Sequence, residues 1–123
     1  ALKFKEACYL NATAYRVSEF QHGPFAVLDE NRSVLLFVSD DETKDGCIKV
    51  AKRIRETGAR LYAFVSDGVE LTADYCYVLP HADAAETPLL QAVAGQLTTL
   101  EISKIKGTSP DAPRNLKKIT VTE

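Results

Sequence analysis

Val34-Leu35-Leu36-Phe37-Val38 is an unbroken apolar run bordered by Asn31-Arg32-Ser33 and by Ser39-Asp40-Asp41. Too short for a helix and without polar alternation, it predicts a strand buried on both faces of a parallel sheet. Downstream, Asp40 and Asp41 are N-cap candidates for a helix whose inner face is Cys47, Val50, Ala51 and Ile54 and whose end is Gly58, a residue suited to a left-handed stop. Strand signals return at Leu61 to Val65 and at Tyr75 to Leu79. A last helix is predicted from about Pro88 to Lys106, with Leu90, Val93, Leu97 and Leu100 inward and Gly107 as its stop. Strands separated by helices give an α/β domain with a largely parallel sheet. Sheets of this class hold about five strands or more, so the missing ones are expected from upstream sequence or another chain.

Upstream of the run, His22-Gly23-Pro24 stops a helix and leads into the short apolar stretch Phe25 to Leu28. Residues 1 to 17 read as helix. Phe4, Ala7, Cys8, Ala12 and Tyr15 line one stripe, while Leu2, Glu6, Tyr9, Leu10, Thr13 and Val17 line a second, mostly apolar one. Apolar on two sides, such a helix is expected between layers. No capping residue precedes it and the chain has no Met, so the sequence is expected to begin inside a helix. The stretch after Gly107 holds two prolines and little helical periodicity.

The 123 residues carry 15 Lys and Arg against 17 Asp and Glu, with 46% apolar and 26% charged residues, a composition for one globular domain or part of one. A formal charge of −2 and a pI near 5.7 give no pull toward nucleic acid or an anionic membrane surface, so neither is expected as a partner. No apolar stretch approaches the ~20 residues that span a bilayer. Cys8, Cys47 and Cys76 are scattered and form no C-x-x-C pair, which reads as reduced thiols in a cytoplasmic protein. G-x-G-x-x-G and G-K-[ST] are both absent.

Glu6 is the first candidate for chemistry, because a carboxylate on an apolar stripe requires a partner or a raised pKa and can then move protons. Lys3 is positioned as that partner; the competing reading is a surface ion pair of helix spacing. His22, beside Gly-Pro, reads either as a general acid or base or as a solvent-facing helix-end histidine. Lys117 and Lys118 read in isolation as solvated charges of a C-terminal tail, and His81 and the cysteines as structural.

Taken together, Ala1-Leu2-Lys3-Phe4-Lys5-Glu6, Tyr9, Ala14-Tyr15, Glu19, His22-Gly23-Pro24, Ile105-Lys106-Gly107-Thr108, Asp111, Pro113-Arg114-Asn115-Leu116, Lys118 and Thr120 resemble the C-terminal half of the isomerase region of the glutamine:fructose-6-phosphate aminotransferase family. That region consists of two sugar isomerase (SIS) domains. The resemblance covers essentially the whole chain and implies a flavodoxin-like, three-layer SIS fold with a mostly parallel sheet, here truncated at its N-terminus. It divides the chain into residues 1–107, a partial second SIS domain lacking its first strand, and residues 108–123, a C-terminal catalytic tail.

The family converts fructose 6-phosphate and glutamine-derived ammonia into glucosamine 6-phosphate without a metal or other cofactor. By resemblance, Lys118 is the Schiff-base lysine, Glu6 the base that carries a proton from the first sugar carbon to the second, His22 the ring-opening acid/base and Lys3 a substrate-binding residue. The resemblance also implies a homodimer in which the histidine is delivered to the partner subunit's site. Glu6 and His22 are sixteen residues apart in sequence, roughly 24 Å if the helix were continuous, which agrees with such sharing. Asn11, Thr13, Gln21 and Lys117 depart from the family pattern and leave open an SIS-type glucosamine-6-phosphate deaminase or a fructosamine-phosphate deglycase; a phosphosugar-binding regulatory module is the alternative of another class. No phosphate-binding loop is present, so that site is expected upstream and the chain alone is expected to be inactive.

Overall fold

The computed structural model describes residues 1–116 and divides the chain into two compact units, one of Ala1–Ala14 with the chain from Val93 onward, the other of Tyr15–Ala92. The elements run α1 (Leu2–Cys8), α2 (Val17–Phe20), a 3-10 turn (Pro24–Val27), β1 (Ser33–Val38), α3 (Lys44–Glu56), β2 (Arg60–Val65), β3 (Tyr75–Val78) and α4 (Thr87–Ile105).

In the Tyr15–Ala92 unit, β1, β2 and β3 form a parallel sheet in that order, with Phe37, Phe64 and Tyr77 in register. The α3 face of the sheet is the core. There Leu36, Val38, Leu61, Ala63 and Val65 pack with Cys47, Val50, Ala51 and Ile54, the inner face expected for this helix. The opposite face corrects the expectation of a strand covered on both sides. Leu35 and Phe37 are only half buried, and the rings on that face stack along the register, Phe37 on Phe64 at 5.5 Å, Phe64 on Tyr77 at 5.3 Å and Tyr62 on Tyr75 at 5.1 Å. A run of apolar residues cannot distinguish one covered face from two, because aromatic neighbours shield each other.

Asp40 and Asp41 are not the caps of α3; Thr43 holds that position. Asp41 instead accepts the Thr43 N–H at 2.8 Å and its hydroxyl at 2.6 Å, closing an Asx turn one step ahead of the helix, and Asp40 pairs with Lys44. At the far end Gly58 takes φ 83°, the left-handed stop the sequence predicts.

The expected helix over residues 1 to 17 is broken. Tyr9 turns left-handed at φ 53°, ψ 37° and the Leu10 N–H closes back on the Phe4 carbonyl at 3.1 Å, ending α1. Residues 9 to 16 are not helical, and α2 is a separate turn. Asn11 and Thr13 favour this outcome, since their side chains compete for backbone partners and Thr13 is β-branched. Nor is α1 buried on two sides: it buries Ala7 and Cys8 and leaves Leu2 exposed.

The helix α4 also reverses its expected orientation. Val93, Leu97 and Leu100 are exposed and Leu90 is half buried, whereas Thr87, Ala94, Thr99 and Ser103 are buried. The buried hydroxyls are satisfied locally: Thr99 donates to the Gly95 carbonyl and Ser103 to that of Leu100 within the helix, and Thr87 to the Asp83 carbonyl in the stretch just before it, at 2.7–2.8 Å. Satisfied in this way, small polar residues can face inward and permit close packing, which hydropathy alone does not register.

Candidate active site

Helix spacing places Lys3 and Glu6 one turn apart on α1, and their side chains meet with Nζ to Oε2 at 2.6 Å. The Glu6 side chain is 26% exposed and that of Lys3 67%, so the carboxylate is partly withdrawn from water while its cation reaches solvent. The pair opens onto a groove of about 210 Å³. Ala7 continues its floor, Gln96 and Thr99 of α4 form one wall, and Pro110 and Pro113 of the C-terminal stretch form the other. Gln96 and Thr99 escaped the sequence reading because neither is an acid, a base or a nucleophile. The one available signal was their own i, i+3 spacing, which α4 shares with many surface pairs.

The C-terminal stretch is tied to α1 at two points. The Thr108 hydroxyl donates to the Ala7 carbonyl at 2.6 Å. Further on, the Arg114 N–H donates to the Tyr9 hydroxyl at 3.0 Å, and its guanidinium lies over the Tyr9 ring, 4.0 Å from the centroid. Lys117 and Lys118 fall outside the described residues.

His22 lies in the other unit, in the turn after α2, with its N–H on the Glu19 carbonyl at 3.1 Å. Gly23 at φ 112° lets the chain double back into Pro24. Arg53 of α3 braces this turn on both sides of His22: it donates to the Gln21 side-chain carbonyl at 2.8 Å and stacks over the Phe25 ring at 4.5 Å. Gln21, a departure from the family pattern, therefore has a structural partner here. The imidazole is exposed. Because the helix carrying Glu6 ends at Cys8, the estimate of a continuous rise from Glu6 to His22 does not apply.

A second cavity lies at the C-terminal ends of β1 and β2, lined by Ser39, Asp40, Asp41, Ser66, Asp67 and His81 among others. The ends of parallel strands are the usual ligand crevice of such sheets. His81 finds Asp67 there at 3.7 Å, a partner the sequence did not reveal. Hydrogen bonds from the Thr43 hydroxyl and N–H hold the Asp41 carboxyl below its ordinary value.

A scan against protein-family models finds no match. The whole chain is 36% identical over 126 residues to glutamine–fructose-6-phosphate aminotransferase (isomerizing) of Haemophilus ducreyi and 35% identical over 127 residues to that of Chlorobaculum tepidum. It spans 21% and 20% of those proteins. Among solved structures, the C-terminal domain of glucosamine-fructose-6-phosphate aminotransferase from Francisella tularensis matches 91% of the chain and 32% of its own length, at 30% identity and a TM-score of 0.85. The fold is therefore that of an SIS domain of the α/β class. The chain belongs, more particularly, to the C-terminal isomerase domain of the isomerizing glutamine–fructose-6-phosphate aminotransferases, and matches only that part of them. Among the described residues, no helix is long and apolar enough to cross a membrane.

Proposed function

We propose that this chain is the catalytic C-terminal portion of a cytoplasmic, homodimeric enzyme that converts fructose 6-phosphate and ammonia to glucosamine 6-phosphate, with neither nucleic acid nor membrane as a partner. The observation that carries this reading is the Lys3–Glu6 pair on an open groove walled by the stretch that leads to Lys118. Residues 1–107 supply the SIS scaffold and residues 108–123 the tail. The Lys118 amine attacks the C2 ketone of the open-chain sugar, water leaves, and ammonia then displaces the lysine to give the C2 imine. Glu6 takes a proton from C1 and returns it to C2, leaving an aldehyde at C1 and an amine at C2. Lys3 partners the Glu6 carboxylate and binds the sugar beside it. His22 opens the ring, acting on the partner subunit's site; this arrangement rests on the family resemblance, the helix that gave it a distance argument being broken. A groove of about 210 Å³ is below the ~300 Å³ at which small-molecule sites begin, in keeping with a phosphate-binding part that lies elsewhere in the enzyme.

In the full-length protein, Glu6→Gln is expected to lower kcat roughly 10²- to 10⁴-fold while leaving KM for fructose 6-phosphate nearly unchanged. Borohydride added during turnover is expected to tag Lys118, read by peptide mapping. Unchanged turnover in Glu6→Gln returns the pair to a surface ion pair, and a tag on Lys117 in place of Lys118 removes the nucleophile assignment.

A further inference from the structure

The left-handed residue that ends α1 is neither glycine nor asparagine but Tyr9, at φ 53°. A bulky side chain in this region is strained and persists where the surroundings fix it. What fixes it here is Arg114, through two contacts of different kinds on the same side chain: the backbone N–H on the hydroxyl at 3.0 Å and the guanidinium over the ring at 4.0 Å. Tyr9 follows Glu6 by three residues, and Arg114 precedes Lys118 by four. Four residues of fully extended chain span at most about 14 Å.

The segment between the two ties is restricted as well. Thr108 is held to the Ala7 carbonyl at 2.6 Å, Arg114 to Tyr9, and between them Pro110 and Pro113 fix the backbone that walls the Lys3/Glu6 groove. Neither tie serves the charge balance of the groove. Both set where the C-terminal stretch runs.

We infer that Tyr9 and Arg114 form a latch that positions the tail bearing Lys118 relative to the helix bearing Glu6. They are positioning residues: neither donates a proton nor bonds to the sugar, and their effect acts through Lys118. The inference rests on the proposed role of Lys118 and deepens it by assigning the tail's anchor. A hydroxyl–amide hydrogen bond and an exposed cation–π contact are each expected to be worth about threefold to tenfold in the population of correctly placed tail.

The test uses the full-length protein with fructose 6-phosphate. Tyr9→Phe removes only the acceptor and retains the ring, so it keeps the helix stop; Arg114→Ala removes the cation and Arg114→Lys restores one. Expected are losses of kcat of about threefold to tenfold in Tyr9→Phe and Arg114→Ala, partial recovery in Arg114→Lys, and KM within twofold of wild type. The rate at which borohydride tags Lys118 should fall in parallel. A role confined to ending the helix would not produce recovery in Arg114→Lys or a selective loss of tagging. Wild-type kcat and tagging rates in both Tyr9→Phe and Arg114→Ala overturn the latch while leaving the Lys118 chemistry in place. A wild-type protein that tags no lysine overturns both, the failure then lying in the proposed function.

Discussion

The two units are built from different materials. The Tyr15–Ala92 unit buries Ile54, Leu61, Val38, Val50 and Val65 against a parallel sheet, whereas the unit of Ala1–Ala14 and the chain from Val93 buries Ala7, Cys8, Ala94, Thr99 and Ser103. Large branched side chains remove much apolar area from water, at about 25 cal/mol per Å². The small ones remove little and are held in addition by polar contacts, such as the Cys8 thiol on the Thr99 carbonyl at 3.2 Å and Thr108 on Ala7. The first unit thus behaves as scaffold, and the second is a lightly stabilised frame around the Lys3/Glu6 groove. The arginine anchors follow the same division. Arg53 braces the His22 turn from within a thirteen-residue helix whose apolar face is buried, while Arg114 reaches Tyr9 from a stretch without secondary structure.

The largest expected effect that would break this contrast is in the scaffold. Ile54, 1% exposed, belongs to the core between α3 and the sheet, so Ile54→Ala should destabilise the chain by about 2–5 kcal/mol, read as a fall in the denaturation midpoint. A loss below about 1 kcal/mol would mean that the sheet core is not what holds the chain.

A smaller effect compares the units directly through their thiols. Cys76 is exposed and should react at once with a thiol reagent, while Cys8 and Cys47, both buried, wait for local opening. Burial pushes both buried thiols above their ordinary pKa. Their protonated folded forms therefore contribute stability that is complete below the free-thiol pKa and is lost as pH rises through the folded values. At neutral pH the rates report opening, and Cys8 is expected to react at least about tenfold faster than Cys47, a difference of about 1.4 kcal/mol. Mass spectrometry of timed aliquots gives the order, and a Cys47 rate equal to or above that of Cys8 would erase the contrast.

The scaffold was the more legible half. Residues 34 to 38, 61 to 65 and 75 to 78 are strands, and Cys47, Val50, Ala51 and Ile54 face inward, because a hydrophobic pattern of fixed period reports burial well when the buried residues are large. The frame around the groove was less legible for two physical reasons. Tyr9 ends α1 with a conformation that composition does not announce, so a periodic stretch appeared to continue through Asn11 and Thr13. In α4 the inward positions are occupied by Thr and Ser, whose hydroxyls bond to the preceding turn. Of the site, Lys3 and Glu6 do meet, as their spacing required. The wall formed by Gln96, Thr99, Pro110 and Pro113 depends on contacts between segments far apart in sequence, which no local pattern encodes.

The smallest expected effect is also the sharpest test of that reading of α4. Periodicity alone would place Leu97 in the core and make its loss as costly as that of Ile54. The structure leaves Leu97 56% exposed, on the side of the helix opposite the satisfied hydroxyls of Thr99 and Ser103. Exchanging it for Gln retains helix propensity and removes only apolar surface already in water, so the stability of the 123-residue chain should change by no more than about 0.5 kcal/mol. Thr99→Leu on the buried side adds volume where small residues allow close approach and should cost more, about 1–3 kcal/mol. Chemical denaturation of the two variants side by side decides the orientation of the helix. If Leu97→Gln is the costlier change, the apolar stripe faces inward and the groove wall formed by Gln96 and Thr99 is lost with it.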